Sequence, residues 1–423
     1  MANSLKQSAL FTRTRKEIPS DEVSRNAELL IRGGFIHKEM AGVYSYLPLG
    51  LRVLKKIENI IRDEMDKVGG QEILMSSFQP KENWEKTGRW KTMDDLYKVG
   101  DSSGREVALD PTHEEIVVPL LKNYILSHKD LPLVVYQIQN KFRMELRAKS
   151  GILRGREFMM KDMYSFHATQ KDLEDFYGQM KKAYKNIFNR VGIGHVTYLT
   201  FASGGTFSKY SHEFQTIAPA GEDTIYLDEE SSVAVNKEIF NDEILGQLGL
   251  PFLNKEKLVE KRAIEVGNIF DLKTKYSKPF DLSFTDSQGE KQTVLMGCYG
   301  IGLGRLLGAV VEVLSDDHGL IWPESIAPFV VHLLALGEGE EIFREAEKVY
   351  EKLSKNKVEV LFDDRKGLSA GEKFADSDLL GIPWRAVVSA RSLKEGGIEI
   401  KKRNEDKGKI ISLEELCSIN FIN

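Results

Sequence analysis

Cysteine is nearly absent: the chain has two, Cys298 and Cys417. Two thiols cannot make a disulfide framework, and no CxxC or HExxH pattern occurs, so neither a stapled mini-fold nor a structural zinc site is expected. A reducing, cytoplasmic home fits this usage. Long apolar runs are missing as well, which leaves no segment able to span a bilayer. The stretch from Met1 to Arg15 lacks the apolar core of a secretory signal, and Glu17, Asp21 and Glu22 arrive too early for a typical transit peptide. Positive charge is not in excess: Lys plus Arg number 59 against 64 for Asp plus Glu, a net charge of −5. A protein that held nucleic acid by bulk charge alone would be basic, so any nucleic acid must meet local basic patches and a matching shape. Internal repeats and low-complexity tracts are also absent.

What is present is an ordinary globular composition on a chain of 423 residues, too long for one hydrophobic core, so two or three domains are expected. Leu51, Leu54, Ile57, Ile61, Met65 and Val68 recur at helical spacing until Gly69 and Gly70 stop the run. Glu72 to Met75, Val134 to Gln139 and Glu157 to Tyr164 read as strands. A second long helix follows from Leu173, Phe176, Tyr177, Met180, Tyr184, Ile187, Phe188 and Val191. Residues 222–262 alternate short apolar and acidic pieces and read as a small connector. After Pro323 and Pro328 the pattern changes. Strands at Phe329 to Leu336, Val358 to Phe362, Trp384 to Ser389 and Gly397 to Lys401 alternate with helical pieces, which indicates a small α/β domain with a partly parallel sheet. The boundary falls near residue 325, giving domains at 1–325 and 326–423.

Four segments could carry chemistry. Asp110-Pro111-Thr112-His113-Glu114-Glu115 reads plainly as a proline-started helix with acids in its first turn; a functional role needs Thr112 and Glu114 facing a cationic amine. Phe142-Arg143-Met144-Glu145, a loop, and Leu153-Arg154-Gly155-Arg156-Glu157-Phe158 would offer Arg143 and Arg154 to phosphates, since a guanidinium fork binds phosphate oxygens in pairs. Each such bond is worth about 1.5–3 kcal/mol, whereas surface ion pairs with Glu145 and Glu157 would be worth roughly 0–1 kcal/mol; charge alone does not choose. In Gly297-Cys298-Tyr299-Gly300-Ile301-Gly302-Leu303-Gly304-Arg305 the glycines let a strand pass closely into a helix with Arg305 at its start. This is neither the dinucleotide fingerprint nor a P-loop. Finally, Asp363-Asp364-Arg365-Lys366-Gly367 and Gly371-Glu372-Lys373-Phe374 are either solvated loop residues or a nucleic-acid-facing loop with Arg365 and Lys373 available and Phe374 able to pack or stack.

In this order the segments resemble the class II aminoacyl-tRNA synthetases. Gly42 to Gly50 and the helix after it resemble the first motif of that class, Phe142 to Glu145 the second, and Gly300 to Arg305 the third. Among them the prolyl enzymes are singled out by Pro111-Thr112-His113-Glu114-Glu115, by Arg156 to His167 and by Gly297-Cys298-Tyr299-Gly300. Asp363-Asp364-Arg365 with Gly381-Ile382-Pro383 resembles the family's anticodon-binding domain. Each motif alone is weak; the shared order and spacing are specific. The likeness covers nearly the whole chain apart from residues 222–262, and no class I HIGH or KMSKS element competes.

The resemblance implies an α+β catalytic domain with an antiparallel sheet flanked by helices, plus a C-terminal α/β anticodon-binding domain. It implies ATP with Mg2+, L-proline and tRNA(Pro) as partners, a homodimer and no membrane. It places Arg143 on the α-phosphate and the proline carboxylate, and Glu145 at the adenine end. Arg154 and Arg305 would hold the outer phosphates, Phe158 would stack on adenine, and Glu265 and Asn268 would make further ATP contacts. Thr112 and Glu114 would take the imino nitrogen, Cys298 would line the ring pocket, and Asp364, Arg365, Lys373 and Phe374 would meet the anticodon. No residue is assigned to a metal. Three positions depart from the family pattern: Ser76 stands where proline is usual, Asn268 where histidine is common and Lys273 where glycine is common. The short connector at 222–262 occupies the place of a large editing insertion. A threonyl enzyme would need zinc-binding Cys and His residues that are missing, and a non-catalytic relative would be expected to lose Arg143, Arg305, Thr112 or Glu114.

Overall fold

A computed structural model describes residues 4–17, 22, 24–146, 148, 150–205, 210–248 and 257–421. The chain forms two compact units. One comprises Met40–Val43 and Glu58–Val310; the other comprises Met1–Glu39, Tyr44–Ile57 and Val311–Asn423.

The first unit is built on a nine-stranded sheet. Its centre is antiparallel: Leu133–Phe142, Glu157–His167, Leu295–Gly302 and Val259–Lys273 pair in that order. Register decides which side chains share a face, because side chains on a strand alternate and directly opposed residues point the same way. One rung holds Gln137, Asp162, Gly300 and Asn268, and the next holds Val135, Tyr164, Cys298 and Phe270. Candidate residues from three distant segments thus lie on one face. Glycine at 300 keeps that face open, since a Cβ there would come within 2.5 Å of the Met160 methyl and 2.9 Å of Asn268 Oδ1. The long helix Gln170–Arg190 turns Leu173, Phe176, Met180, Ala183, Tyr184, Ile187 and Phe188 inward, as its periodicity predicts.

Two expectations need correction. The strand near Glu72 ends early, at Gln71–Glu72. Beyond it the Met75 amide donates to the Gln137 side chain at 3.0 Å instead of to a neighbouring strand. The helix after Asp110 is not started by proline: it spans Glu114–Leu121. The Asp110 carbonyl accepts from Phe142 N at 3.0 Å and the Pro111 carbonyl from Arg143, so this stretch bridges to the sheet. The connector forms strands Asp223–Asp228 and Val233–Asn236 and a helix Asp242–Gln247 around Val235, Ile239 and Leu245, and both strands join the large sheet.

The second unit carries a six-stranded sheet in the order Leu5–Lys6, Val360–Asp363, Val331–Leu336, Trp384–Ser389, Ile398–Lys402 and Lys409–Ile411. The first four run parallel and the last two antiparallel, the partly parallel arrangement that the strand–helix alternation predicts. Ile342, Ala346, Val349 and Leu353 of helix Glu340–Lys355 pack with Val331, Leu333 and Ala335 on one face. On the other face His332 meets Ser377 of helix Ala370–Leu380 at 3.1 Å.

Candidate active site

Arg143, Glu145, Arg154, Phe158, Glu265, Asn268 and Arg305, the residues assigned to ATP by resemblance, all line one cavity of about 220 Å³ in the first unit. Arg143 follows the end of its strand. Its Nε and Nη2 donate to the Pro111 carbonyl at 3.2 and 3.0 Å, and its guanidinium lies 5.3 Å from the Phe158 ring centre. Burial lowers its pKa; Asp95 counters this, and the charge of Arg305 adds to it. Arg305 opens the helix Leu303–Val313 and donates through Nε to the Leu153 carbonyl at 2.8 Å and through Nη1 to Glu265 Oε2 at 3.0 Å. The other Glu265 oxygen accepts from Asn268 Nδ2 at 2.9 Å. Arg154 lies 3.6 Å from Glu145 and 3.1 Å from Glu222. Three guanidinium groups therefore meet at one partly open cavity, each held in position by carbonyls or carboxylates, and Phe158 offers a ring at its wall.

Beside Arg143 lies the bridge that carries Thr112 and Glu114. Thr112 Oγ1 donates to Glu114 Oε2 at 2.5 Å. Glu114 is fully buried, and its Oε1 has no hydrogen-bond partner. An orphaned buried carboxylate oxygen is expensive, and a cationic N–H would complete it. Burial, the Glu114 charge and a hydrogen bond with Glu114 push the Cys298 thiol well up, so it stays neutral. Sequence reasoning missed what lies behind Glu114. Arg89 is buried and sets Nη1 3.0 Å from Glu115 Oε2 and 3.4 Å from Glu114 Oε2, with its guanidinium 5.0 Å from the Trp84 ring centre. The nearness of Arg89 to Trp84 and Trp90 in sequence is a faint sign of it. Beneath the bridge, Lys141 Nζ lies 3.0 Å from Asp162, which also accepts from Gln137 and Tyr164, while the Tyr164 hydroxyl accepts the His113 amide at 3.0 Å. Burial lowers His113 to about 4, so the imidazole is neutral.

Comparison with known proteins decides the family. Residues 97–314 match the tRNA synthetase class II core domain (G, H, P, S and T), and residues 330–419 match an anticodon binding domain. A proline–tRNA ligase of Geobacillus sp. (strain WCH70) is 33% identical over 560 residues, covering 97% of this chain and 98% of the relative. The chain belongs to the proline–tRNA ligases. A second member of this family, from Legionella pneumophila (strain Paris), is 32% identical over 99% of each chain. A Giardia lamblia prolyl-tRNA synthetase solved with prolyl-adenylate superposes with a TM-score of 0.77 at 20% identity, over 93% of this chain and 76% of that one. The alignment to the Geobacillus ligase runs over 560 positions against a chain of 423, so that ligase holds residues with no counterpart here.

The family's fold is thus present, an α+β class II core and an anticodon-binding domain. In the latter, Asp364 accepts from Ser8 N and Oγ at 3.0 and 2.7 Å, and Arg365 pairs with Asp363 and Asp376 at 2.7 and 2.9 Å. The Phe374 ring lies 4.7 Å from the Arg385 guanidinium. Lys373 is a correction. It is 2% exposed, and its Nζ donates to the Ala335 carbonyl at 2.8 Å, so it supports the sheet and offers no charge to nucleic acid. Two of the positions noted in the sequence have defined local settings. The Ser76 carbonyl meets His113 Nε2 at 3.1 Å. Lys273 has φ of 49°, in the left-handed region where glycine is at ease, with its amide anchored on Asp271 at 3.0 Å.

Proposed function

We propose that this chain activates L-proline with ATP and passes it to tRNA(Pro) through prolyl-adenylate, the catalytic part lying at 1–325 and the anticodon-reading part at 326–423. The observation that carries this reading is the double place of Arg143: it lines the nucleotide cavity and holds the bridge that bears Thr112 and Glu114. A carboxylate is already a nucleophile at neutral pH, so attack on the α-phosphate needs no side-chain base. The enzyme's work is to align two anions and to stabilise charge developing at phosphorus. Arg143 serves the α-phosphate and the proline carboxylate, Arg305 and Arg154 the outer phosphates, Phe158 the adenine, and Glu145, Glu265 and Asn268 the rest of the nucleotide. Thr112 and the orphaned oxygen of Glu114 receive the imino nitrogen, and Cys298 bounds the ring. A ribose hydroxyl of the terminal adenosine then attacks the acyl carbon.

Among the described residues no group of three or more His, Cys, Asp or Glu could hold a metal ion by itself. Magnesium that arrives with ATP is bound chiefly by phosphates and one or two carboxylates, and Glu265 in the cavity wall, beside Arg305, suits that role. It would neutralise phosphate charge.

The short connector supports a second part of the reading, that no editing domain is present. Alanine is smaller than proline, and a pocket rejects a smaller ligand by only about 1–3 kcal/mol. The chain therefore activates alanine slowly and does not hydrolyse Ala-tRNA in cis. A cytoplasmic homodimer is the form that the family likeness favours. Proline-dependent exchange of pyrophosphate into ATP tests the reading; an enzyme that exchanges with alanine or threonine as fast as with proline would refute it.

A further inference from the structure

The N-terminal segment has no part in the reading above, yet it is built into the second unit. Leu5 and Lys6 pair in parallel with Leu361 and Phe362. Gln7 Oε1 meets His332 Nε2 at 3.0 Å, and Ser8 caps Asp364. Thr14 Oγ1 donates to Asp376 at 2.7 Å, and the Arg15 amide donates to the Arg32 carbonyl at 2.8 Å. The segment is a strap fastened at several points. It forms one wall of a groove of about 920 Å³ whose other wall includes Arg365, Lys366 and Gly371.

The groove gathers cations in an acidic protein. Arg13, Arg15, Lys16, Arg32, Arg365 and Lys366 all line it, Arg32 being paired with Glu28 and Arg365 with Asp363 and Asp376. Asp376, Asp378 and Glu372 line it too but are engaged: Asp376 by Thr14 and Arg365, Asp378 by Arg385, and Glu372 by the cap of Ser369. Asp317 is the remaining acid. The Arg13 and Arg15 side chains are exposed and make no hydrogen bond or ion pair among the described residues. Lys16 is 90% exposed and stands 3.6 Å from Glu372. A strap with fixed backbone and unspent guanidinium groups presents charge without first having to be ordered. Guanidinium groups along a groove fit the spaced phosphates of a nucleic-acid backbone better than a compact anion.

We propose that Arg13, Arg15 and Lys16 form one wall of a track for the phosphate backbone of tRNA, facing the loop that contains Arg365 and Lys366. The segment most distant in sequence from the anticodon-binding domain then takes part in tRNA binding there. This rests on the proposed ligase activity. The test is the full-length chain carrying Arg13→Ala, Arg15→Ala and Lys16→Ala together. These side chains are exposed, so the fold should not suffer, and circular dichroism would check it. Proline-dependent pyrophosphate exchange should keep its wild-type rate. The KM for tRNA should rise about tenfold or more, and the dependence of binding on salt should fall by about one unit of slope per lost phosphate contact. Arg13→Glu with Arg15→Glu should weaken tRNA binding further. An unchanged KM for tRNA with an unchanged salt slope would overturn the proposal. Loss of exchange in the wild-type chain would instead overturn the ligase reading.

Discussion

Arg143 gives two hydrogen bonds to the carbonyl of Pro111, at 3.2 and 3.0 Å. One residue thereby couples the cavity wall to the bridge on which Thr112 and Glu114 stand. When an α-phosphate and a carboxylate arrive, the same guanidinium has donors for both, because the fork carries five N–H groups.

Glu114→Gln removes the charge that the imino nitrogen is to meet while keeping the shape. The KM for proline should rise roughly ten- to a hundredfold, since a bond to a charged group is worth about 1.5–3 kcal/mol. The KM for ATP should move little. Steady-state exchange kinetics with each substrate varied in turn would separate the two, and an equal rise in both would contradict the assignment.

Arg89→Met takes the cation from between Glu114 and Glu115. Two buried carboxylates would be left uncompensated, and breaking such a pair costs about 3–5 kcal/mol. Denaturant unfolding should show that loss. A variant as stable as the parent would mean that the glutamates share a proton instead.

His332 is buried in the second unit, between Ser377 and Gln7. Burial lowers it to about 4; Asp363 opposes the shift, and Arg365, Arg385 and Lys373 add to it. The unfolded chain, with an ordinary histidine near 6.5, binds the proton first. This residue therefore favours the fold above that value, and its contribution falls as pH drops toward 4, by on the order of 3 kcal/mol. His332→Gln should flatten the stability profile between those limits relative to wild type. Parallel profiles would show that the imidazole is protonated in the fold.

The parts of the site legible in the sequence are those written in local pattern. The glycines at 300 and 302 mark the strand that must stay bare, and Arg305 follows at the helix start. The long helix Gln170–Arg190 declares itself by its apolar stripe. What was not legible depends on contacts distant along the chain. Pro111 reads as a helix start because nothing nearby tells that Arg143, 32 positions on, takes its carbonyl. Lys373 reads as a surface charge because the carbonyl it binds belongs to Ala335, 38 positions back. The two-residue strand Leu5–Lys6 is too short to show any period, and its partner lies at the other end of the sequence.

Exchange of labelled pyrophosphate into ATP by the Arg143→Ala variant, with proline saturating, tests the central claim most directly. Removing the group that is to hold both the α-phosphate and the carboxylate should depress the rate by at least about a hundredfold. Exchange within a few fold of wild type would mean that Arg143 does not grip the reacting groups.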